Sequence, residues 1–175
     1  SARSAWTTGP LSADEETRLL TLFPGALSPA EHEQRMERLL ALGATSAAGR
    51  ELNWITSSRR DEFAARLAMR SRTAGAALAA QAFEAAHPDV LRTNAGYIAD
   101  KAGWLAASGR VGEARALLAT PRALTAPPVE PEKWLELLLA QAPGAASAGD
   151  YTTAYAIARN VDDALPLGTV VIEQP

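Results

Sequence analysis

The fold is decided at residues 100–118, which read Asp100-Lys-Ala-Gly-Trp-Leu-Ala-Ala-Ser-Gly-Arg-Val-Gly-Glu-Ala-Arg-Ala-Leu-Leu118. A helical run ends here at Gly109, and a second one begins near Val111. Glycine readily adopts the left-handed backbone conformation that ends a helix. Ala114, on the second helix, is small enough for the two helices to pack closely. The stretch therefore predicts a helical hairpin.

The same pattern occurs at two other places, with a glycine at the end of one helix and an alanine five residues later on the next. These are Gly43…Ala48 and Gly149…Ala154. The gap from Gly43 to Gly109 is 66 residues, and the next gap is 40 residues. The first is close to twice the ~34-residue period of tetratricopeptide repeats. The spacing favours a solenoid of stacked hairpins, and the alternative is chance recurrence in an alanine-rich helical chain.

Start and stop signals divide the rest of residues 1–160 into helices. Ser12 and Ser28 are each followed three residues later by Glu, the pattern of a capping box. Proline and glycine mark most of the helix ends. The signals predict helices at about 12–24, 28–43, 45–54, 57–72 (capped by Ser57 or Ser58), 73–83, 89–109, 111–119 and 150–159, and one from Pro131 that Pro143-Gly144 should kink or break.

The predicted fold class is all-α, with about eight to ten helices in antiparallel hairpins over residues 1–160. The hairpins are predicted to stack into a curved, tetratricopeptide-like superhelix. The chain has 39 Ala and 22 Leu among its 175 residues, and both are strong helix formers. Residues 161–175 lack helical periodicity and are predicted to form an extended tail or linker toward further sequence, with Thr169-Val-Val-Ile172 as the one strand-like run.

Composition and charge exclude several classes of protein. The chain has no cysteine, so it has no disulfide scaffold, no Cys-based metal site and no thiol catalysis. No apolar run reaches the ~20 residues that span a bilayer. Seventeen basic and 20 acidic residues give a net charge of −3. This balance argues against a nucleic-acid partner, which usually requires a basic face.

A search for catalytic and metal-binding motifs finds none. His32-Glu33 begins like a zinc-protease helix, but Met36 occupies the position of the second histidine. His87 stands alone before a proline, and a structural role is favoured for both histidines. The chain has no phosphate-binding loop, no dinucleotide fingerprint and no nucleophile elbow. The adjacent carboxylates at 14–16, 61–62 and 162–163 match no catalytic motif. The sequence predicts no catalytic, cofactor-binding or metal-binding residue.

Two sets of residues remain as candidates for contact with a ligand. Arg59, Arg66 and Arg70 share one side of a helix and could bind an anionic ligand; the alternative is a solvated face with a Glu62–Arg66 pair. Trp54, Trp104 and Trp134 could stack on sugars, but each lies on an amphipathic helix, which favours core packing.

Residues 100–118 resemble the superhelical region of soluble lytic murein transglycosylases. The likeness continues in Pro128-Val-Glu-Pro-Glu-Lys-Trp134 and in Ala148-Gly-Asp-Tyr-Thr-Thr-Ala-Tyr-Ala-Ile-Ala158. Earlier segments at 14–20, 35–40 and 63–67 are similar to the same region, and Gly168-Thr169 resembles the linker that follows it. These are helix-packing motifs, and generic tetratricopeptide-like arrays share several of them.

The resemblance implies a U-shaped, non-catalytic scaffold of a periplasmic enzyme, with peptidoglycan and the enzyme's own catalytic domain as partners. Such enzymes cleave MurNAc–GlcNAc bonds with one glutamate as general acid and then base, leaving 1,6-anhydro-MurNAc ends. The family's catalytic Glu-Ser and Gly-Leu-Met-Gln segments have no counterpart in the 175 residues, so the chain by itself is predicted to be inactive. The alternative is a stand-alone helical-repeat module that binds a protein or peptide. Arg59, Arg66 and Arg70 are the candidate glycan contacts.

Overall fold

A computed structural model describes residues 2–160. Over this range the chain forms eleven α-helices, one 3-10 helix at Leu52–Trp54 and no β-strand. The predicted all-α class is confirmed, and the predicted tail at 161–175 lies outside the described residues. The helices are α1 (Ala2–Thr8), α2 (Ala13–Leu22), α3 (Pro29–Ala41), α4 (Thr45–Glu51), α5 (Arg60–Arg70), α6 (Ala76–Ala86), α7 (Val90–Thr93), α8 (Ala95–Ala107), α9 (Val111–Ala119), α10 (Pro131–Ser147) and α11 (Tyr151–Ala158).

Side-chain caps fix three of the predicted helix starts. At α2, the hydroxyl of Ser12 accepts the backbone N–H of Glu15 at 3.3 Å, and the Glu15 carboxylate accepts the Ser12 backbone N–H at 2.8 Å. Ser28 and Glu31 form the same capping box at α3. The Asp150 carboxylate caps α11. Each cap stabilises the start of its helix, because it satisfies a backbone donor that the helix leaves free.

The three predicted glycine turns share one left-handed geometry. The φ angle is 71° at Gly43, 80° at Gly109 and 82° at Gly149. The residue after each glycine donates its N–H back across the turn, as Arg110 does to the carbonyl of Leu105 at 2.9 Å. This is the Schellman motif, which satisfies the last carbonyls of a helix. The sequence pattern therefore located three identical helix ends.

A fourth turn of the same kind joins α5 and α6, and it carries Arg72 in place of glycine. Its φ is 53°, and the N–H of Thr73 donates to the carbonyl of Ala68 at 3.1 Å. A search for glycines could not find this turn. Arg72 divides the 66-residue gap between Gly43 and Gly109 into steps of 29 and 37 residues.

The described chain consists of two compact units that divide between Pro88 and Asp89. The first contains α1 to α6. Ala48, one of the alanines in the repeated pattern, is fully buried there, where α4 packs on α3. The fully buried Phe63 brings α5 onto the same core. The members of this core are Met36, Leu39, Leu40, Ala47, Ala48, Ile55 and Phe63.

The second unit contains α7 to α11. Its helices pack as α8 on α9, α10 on α11 and α9 on α11. Ala114, the second alanine of the pattern, is fully buried, whereas Ala154 is half-buried. The core consists of Ala95, Ile98, Ala102, Leu118, Trp134, Leu138 and Ile157.

Two predicted helices differ from the structure in their continuity. The long helix predicted over 89–109 is interrupted at Asn94, whose backbone is extended and whose side chain caps α8 by accepting the N–H of Tyr97 at 2.9 Å. Of the predicted kink or break at Pro143-Gly144, the break is wrong, because α10 continues through Pro143; the kink stays a prediction. Proline removes the hydrogen bond to the carbonyl four residues earlier. That carbonyl belongs to the exposed Leu139, where water can replace the lost donor.

Two helix starts also differ from prediction. No start or stop signal predicted α1, which is held by the fully buried Trp6. At α5 the cap residue is Arg59, so neither Ser57 nor Ser58 is the N-cap. The Ser57 hydroxyl instead accepts the N–H of Arg59 at 3.2 Å, one turn before the helix begins.

Candidate functional site

Charged side chains gather in two clusters inside the first unit. One of them, the α3–α5 cluster, consists of Glu33, Glu37, Arg59, Glu62 and Arg66. The guanidinium of Arg66 donates to Glu37 at 2.9 Å and to Glu62 at 3.1 Å. Arg59 donates to the same two carboxylates at 2.6 and 2.9 Å, and lies 3.5 Å from Glu33. Two of the three predicted arginines are therefore bound to the protein's own carboxylates.

The α3–α5 cluster favours the charged forms of Glu37 and Arg59. Burial alone would raise the pKa of Glu37, but Arg66 and Arg59 outweigh burial, so the pKa of Glu37 lies below its ordinary value. Burial opposes the charge of Arg59 as well, but the hydrogen bonds that Arg59 donates to Glu62 and Glu37 raise its pKa in spite of burial. The cluster pairs two guanidinium groups with three carboxylates.

Arg70, the third predicted arginine, binds a helix end. Its Nη2 donates to the carbonyl of Ala41 in the last turn of α3, at 3.4 Å. The same nitrogen lies 3.1 Å from the place a Cβ would take on Gly43. A cation is favoured at the carboxyl end of a helix, so Arg70 joins α5 to the end of α3.

The predicted arginine face thus turns toward the protein more than toward solvent. The alternative Glu62–Arg66 pair is present, but the side chain of Arg66 is 2% exposed, so this part of the face is not solvated. Glycan contact through the three arginines stays a prediction. Arg59, with 35% of its side chain exposed, is the member best placed for it, although a ligand anion would compete there with Glu37 and Glu62.

The second cluster, the α1–α4 cluster, consists of Glu16, His32, Arg35, Arg50 and Glu51. Arg35 lies at its centre and donates to Glu16 at 2.7 Å and to Glu51 at 3.0 Å. Nδ1 of His32 lies 2.6 Å from the other oxygen of Glu51. Arg50 donates to Glu16 at 2.6 Å. All five groups therefore form one hydrogen-bonded network, which the separate sequence motifs did not indicate.

The α1–α4 cluster also anchors α1. Arg35 donates to the carbonyls of Trp6 and Gly9, and its guanidinium carbon lies 4.3 Å from the centre of the Trp6 ring. Burial raises the pKa of Glu51, although His32 and Arg35 work in the opposite direction. A carboxyl with a raised pKa is a feature of general acids, but the side chain of Glu51 is 2% exposed. The α1–α4 cluster therefore has a structural role, which is to hold its helices in place.

The tryptophans fall into different environments. Trp134 is buried in the core of the second unit, and Trp104 is half-buried, consistent with the favoured packing role. The same interpretation is wrong for Trp54, which is 48% exposed. Its ring stacks on His32, with ring centroids 5.6 Å apart and planes 8° from parallel. The ring of Trp6 lies nearly perpendicular to the same imidazole, with ring centroids 5.8 Å apart.

The remaining sequence candidates have structural roles. His87 stacks on Phe83 with centroids 4.2 Å apart, at one end of an alanine-lined groove of about 310 Å³ between α5 and α6. Glu15 belongs to a capping box, and Glu16 and Glu62 bind arginines. Asp162 and Asp163 lie outside the described residues.

Within residues 2–160, no group of three or more acidic or histidine side chains is arranged to hold a metal ion. No described helix is both long and apolar enough to cross a bilayer. Comparisons with protein-family models, with curated proteins and with solved structures return no match.

Proposed function

We propose that this chain is a non-catalytic helical scaffold region of a periplasmic peptidoglycan lytic transglycosylase, built from antiparallel hairpins stacked into a curved superhelix. The observation that carries the proposal is the recurrence of one turn. Left-handed residues at 43, 72, 109 and 149 end the first helix of the hairpins α3–α4, α5–α6, α8–α9 and α10–α11. Their spacings of 29, 37 and 40 residues bracket the ~34-residue period of tetratricopeptide repeats.

The sequence resemblance coincides with these turns. Residues 100–118 contain the α8–α9 turn, and residues 148–158 contain the α10–α11 turn. Backbone geometry explains why such motifs carry glycine and alanine, because the turn needs a positive φ and the helices need a small contact residue. The family assignment itself rests on the resemblance, and the hairpin geometry is compatible with it.

The charged clusters support a non-catalytic role. Glycosidic cleavage requires a carboxylic acid within reach of the leaving oxygen. Glu51 has the raised pKa, but it is buried between His32 and Arg35. Glu37 has a lowered pKa and stays ionised beside two arginines, which is the wrong protonation state for an acid. We therefore expect the purified chain to release no 1,6-anhydro-muropeptides from murein sacculi, as measured by mass spectrometry.

The decisive test is the reading frame beyond codon 175. A frame that continues into a domain with the Glu-Ser and Gly-Leu-Met-Gln segments supports the scaffold proposal, and a stop codon close to Pro175 contradicts it. Where the catalytic domain is present, the whole enzyme and a variant lacking residues 1–160 should both produce anhydro-muropeptides. Small soluble muropeptides should also be cleaved by the truncated variant. If that variant is folded but no longer cleaves them, residues 1–160 contribute to catalysis as well as to the scaffold.

One observation favours the alternative, a stand-alone module that binds a protein. Tyr151 and Tyr155 lie one turn apart on α11 and are 72% and 70% exposed. Exposed aromatic residues of this kind are enriched at protein interfaces. The stop codon that contradicts the scaffold proposal would support this alternative. Loss of a captured partner on replacing both tyrosines with serine would then test the surface.

A further inference from the structure

Trp54 is an exposed side chain that stacks on a buried one. The indole ring lies parallel to the imidazole of His32, and His32 is in turn fixed by Glu51 at 2.6 Å and by the perpendicular ring of Trp6. His32, Glu51 and Trp6 are all buried, whereas Trp54 is 48% exposed. The exposed indole is therefore the outermost layer of an ordered stack.

The turn that carries Trp54 is held on both sides. Trp54 ends the 3-10 helix at Leu52–Trp54, and the next residue, Ile55, is buried in the core. The guanidinium of Arg60 donates to the carbonyls of Leu52 and Ile55, bridging the turn. A side chain fixed in this way loses little conformational entropy when a ligand binds to it.

The exposed neighbours of Trp54 along the chain are polar and mostly uncharged. Asn53, Thr56 and Ser58 are exposed, whereas Leu52 is half-buried and Ile55 is buried. An apolar protein partner or a lipid surface would require further exposed apolar side chains around the indole. A pyranose instead offers a face of C–H groups to the indole and hydroxyl or amide groups to the polar neighbours.

We infer that Trp54, stacked on His32, is a sugar-binding platform for a β-1,4-linked N-acetylhexosamine chain. The choice of this glycan rests on the proposed function, while the stacking site rests on the geometry of Trp54. The platform lies in the first unit but uses none of the three predicted arginines. The platform binds an uncharged part of the polymer. Its affinity should therefore depend little on salt concentration, unlike the affinity of contacts through exposed arginines.

Isothermal titration of the whole chain with chitohexaose, the β-1,4-linked hexamer of N-acetylglucosamine, tests the platform. We expect the wild type to bind and Trp54→Ala to bind about tenfold more weakly. Trp54→Phe keeps a ring on His32 and should lie between the two. Tyr155→Ala, which removes an equally exposed aromatic residue from the second unit, should bind as the wild type does. Circular dichroism establishes that each variant is folded.

Two results would overturn the inference. One is a wild-type chain that does not bind chitohexaose, and the other is equal affinity in folded Trp54→Ala and the wild type. Both leave the scaffold proposal standing if the reading frame enters a catalytic domain. Conversely, Trp54-dependent glycan binding by a chain whose frame stops near codon 175 would retain the platform and reject the scaffold proposal.

Discussion

The two units use different interactions to build the same kind of helical hairpin. Seven polar or charged residues are buried in the described part of the chain, and all but Asp100 lie in the first unit. Those six are Glu16, His32, Arg35, Glu51, Glu62 and Arg66. The core of the second unit is apolar and centres on Leu118, Trp134, Leu138 and Ile157.

The difference follows from what each unit has to hold. With seven residues, α1 is too short to be stable alone. Arg35 binds it through the carbonyls of Trp6 and Gly9. Buried ion pairs add little net stability because desolvation offsets their attraction, but breaking one is costly. The second unit joins its helices through the contacts of buried apolar side chains. We therefore expect the first unit to be intolerant of single charge changes.

The largest expected effect is at the centre of the α1–α4 cluster. Arg35→Met leaves the carboxylates of Glu16 and Glu51 buried without their main partner, and should lower the free energy of unfolding by about 3–5 kcal/mol. Leu138→Ala in the second unit should cost about 2–5 kcal/mol through the cavity it leaves. Urea denaturation followed by circular dichroism measures both.

A rescue variant distinguishes the stability lost in Arg35→Met from the stability lost in Leu138→Ala. Adding Glu16→Gln and Glu51→Gln to Arg35→Met removes the uncompensated charges and should recover part of the lost stability. The same two changes added to Leu138→Ala should recover nothing. A triple variant less stable than Arg35→Met would contradict the account given for the first unit.

A smaller effect is expected from pH. The pKa of Glu37 is lowered in the folded state, so its stabilisation is complete above its unfolded pKa of about 4.3 and is lost as pH falls through the folded pKa. Glu37→Gln should therefore cost about 1.5–3 kcal/mol at pH 7. The gap from the wild type should close below about pH 4.

Urea denaturation at several pH values from 7 to 3 gives this gap directly. Glu51→Gln is the matched comparison, because the pKa of Glu51 is raised. Protonation of Glu51 relieves the cost of its buried charge, so this group favours folding as pH falls through its raised pKa. A gap between Glu37→Gln and the wild type that persists unchanged at pH 3 would show that the ion pairs of Glu37 are not what stabilises it.

The smallest expected effect is on stability, and it comes from the left-handed turns at Arg72 in the first unit and Gly109 in the second. Arg72 has a φ of 53° where Gly109 has 80°, and a left-handed conformation is strained for a residue with a Cβ. Arg72→Gly should stabilise the chain by about 0.5–1 kcal/mol, and Gly109→Ala should destabilise it by about 1 kcal/mol. Thermal unfolding checks both. Arg72→Ala, which removes the same charge without relieving the strain, should gain nothing.

Local rules were sufficient where the cause is local. The starts of α2 and α3 follow from Ser12 and Ser28 because a capping box needs only four consecutive residues. The three glycine turns follow from the freedom of glycine at positive φ. The same rules failed at Asn94, because its side chain caps a new helix inside the predicted 89–109 run, and at Pro143, because an exposed turn tolerates the missing hydrogen bond.

What the sequence determined by itself is the all-helical class and most helix ends, since propensity, caps and glycine turns act over a few residues. Tertiary structure alone decided the environment of each candidate side chain. Periodicity puts Arg66 and Trp54 on helices but says nothing of what lies opposite. Glu37, which lies 29 residues before Arg66, accepts a hydrogen bond from the buried arginine. His32, which lies 22 residues before Trp54, stacks on the exposed indole. Burial and charge pairing are properties of such distant contacts, and no local pattern encodes them.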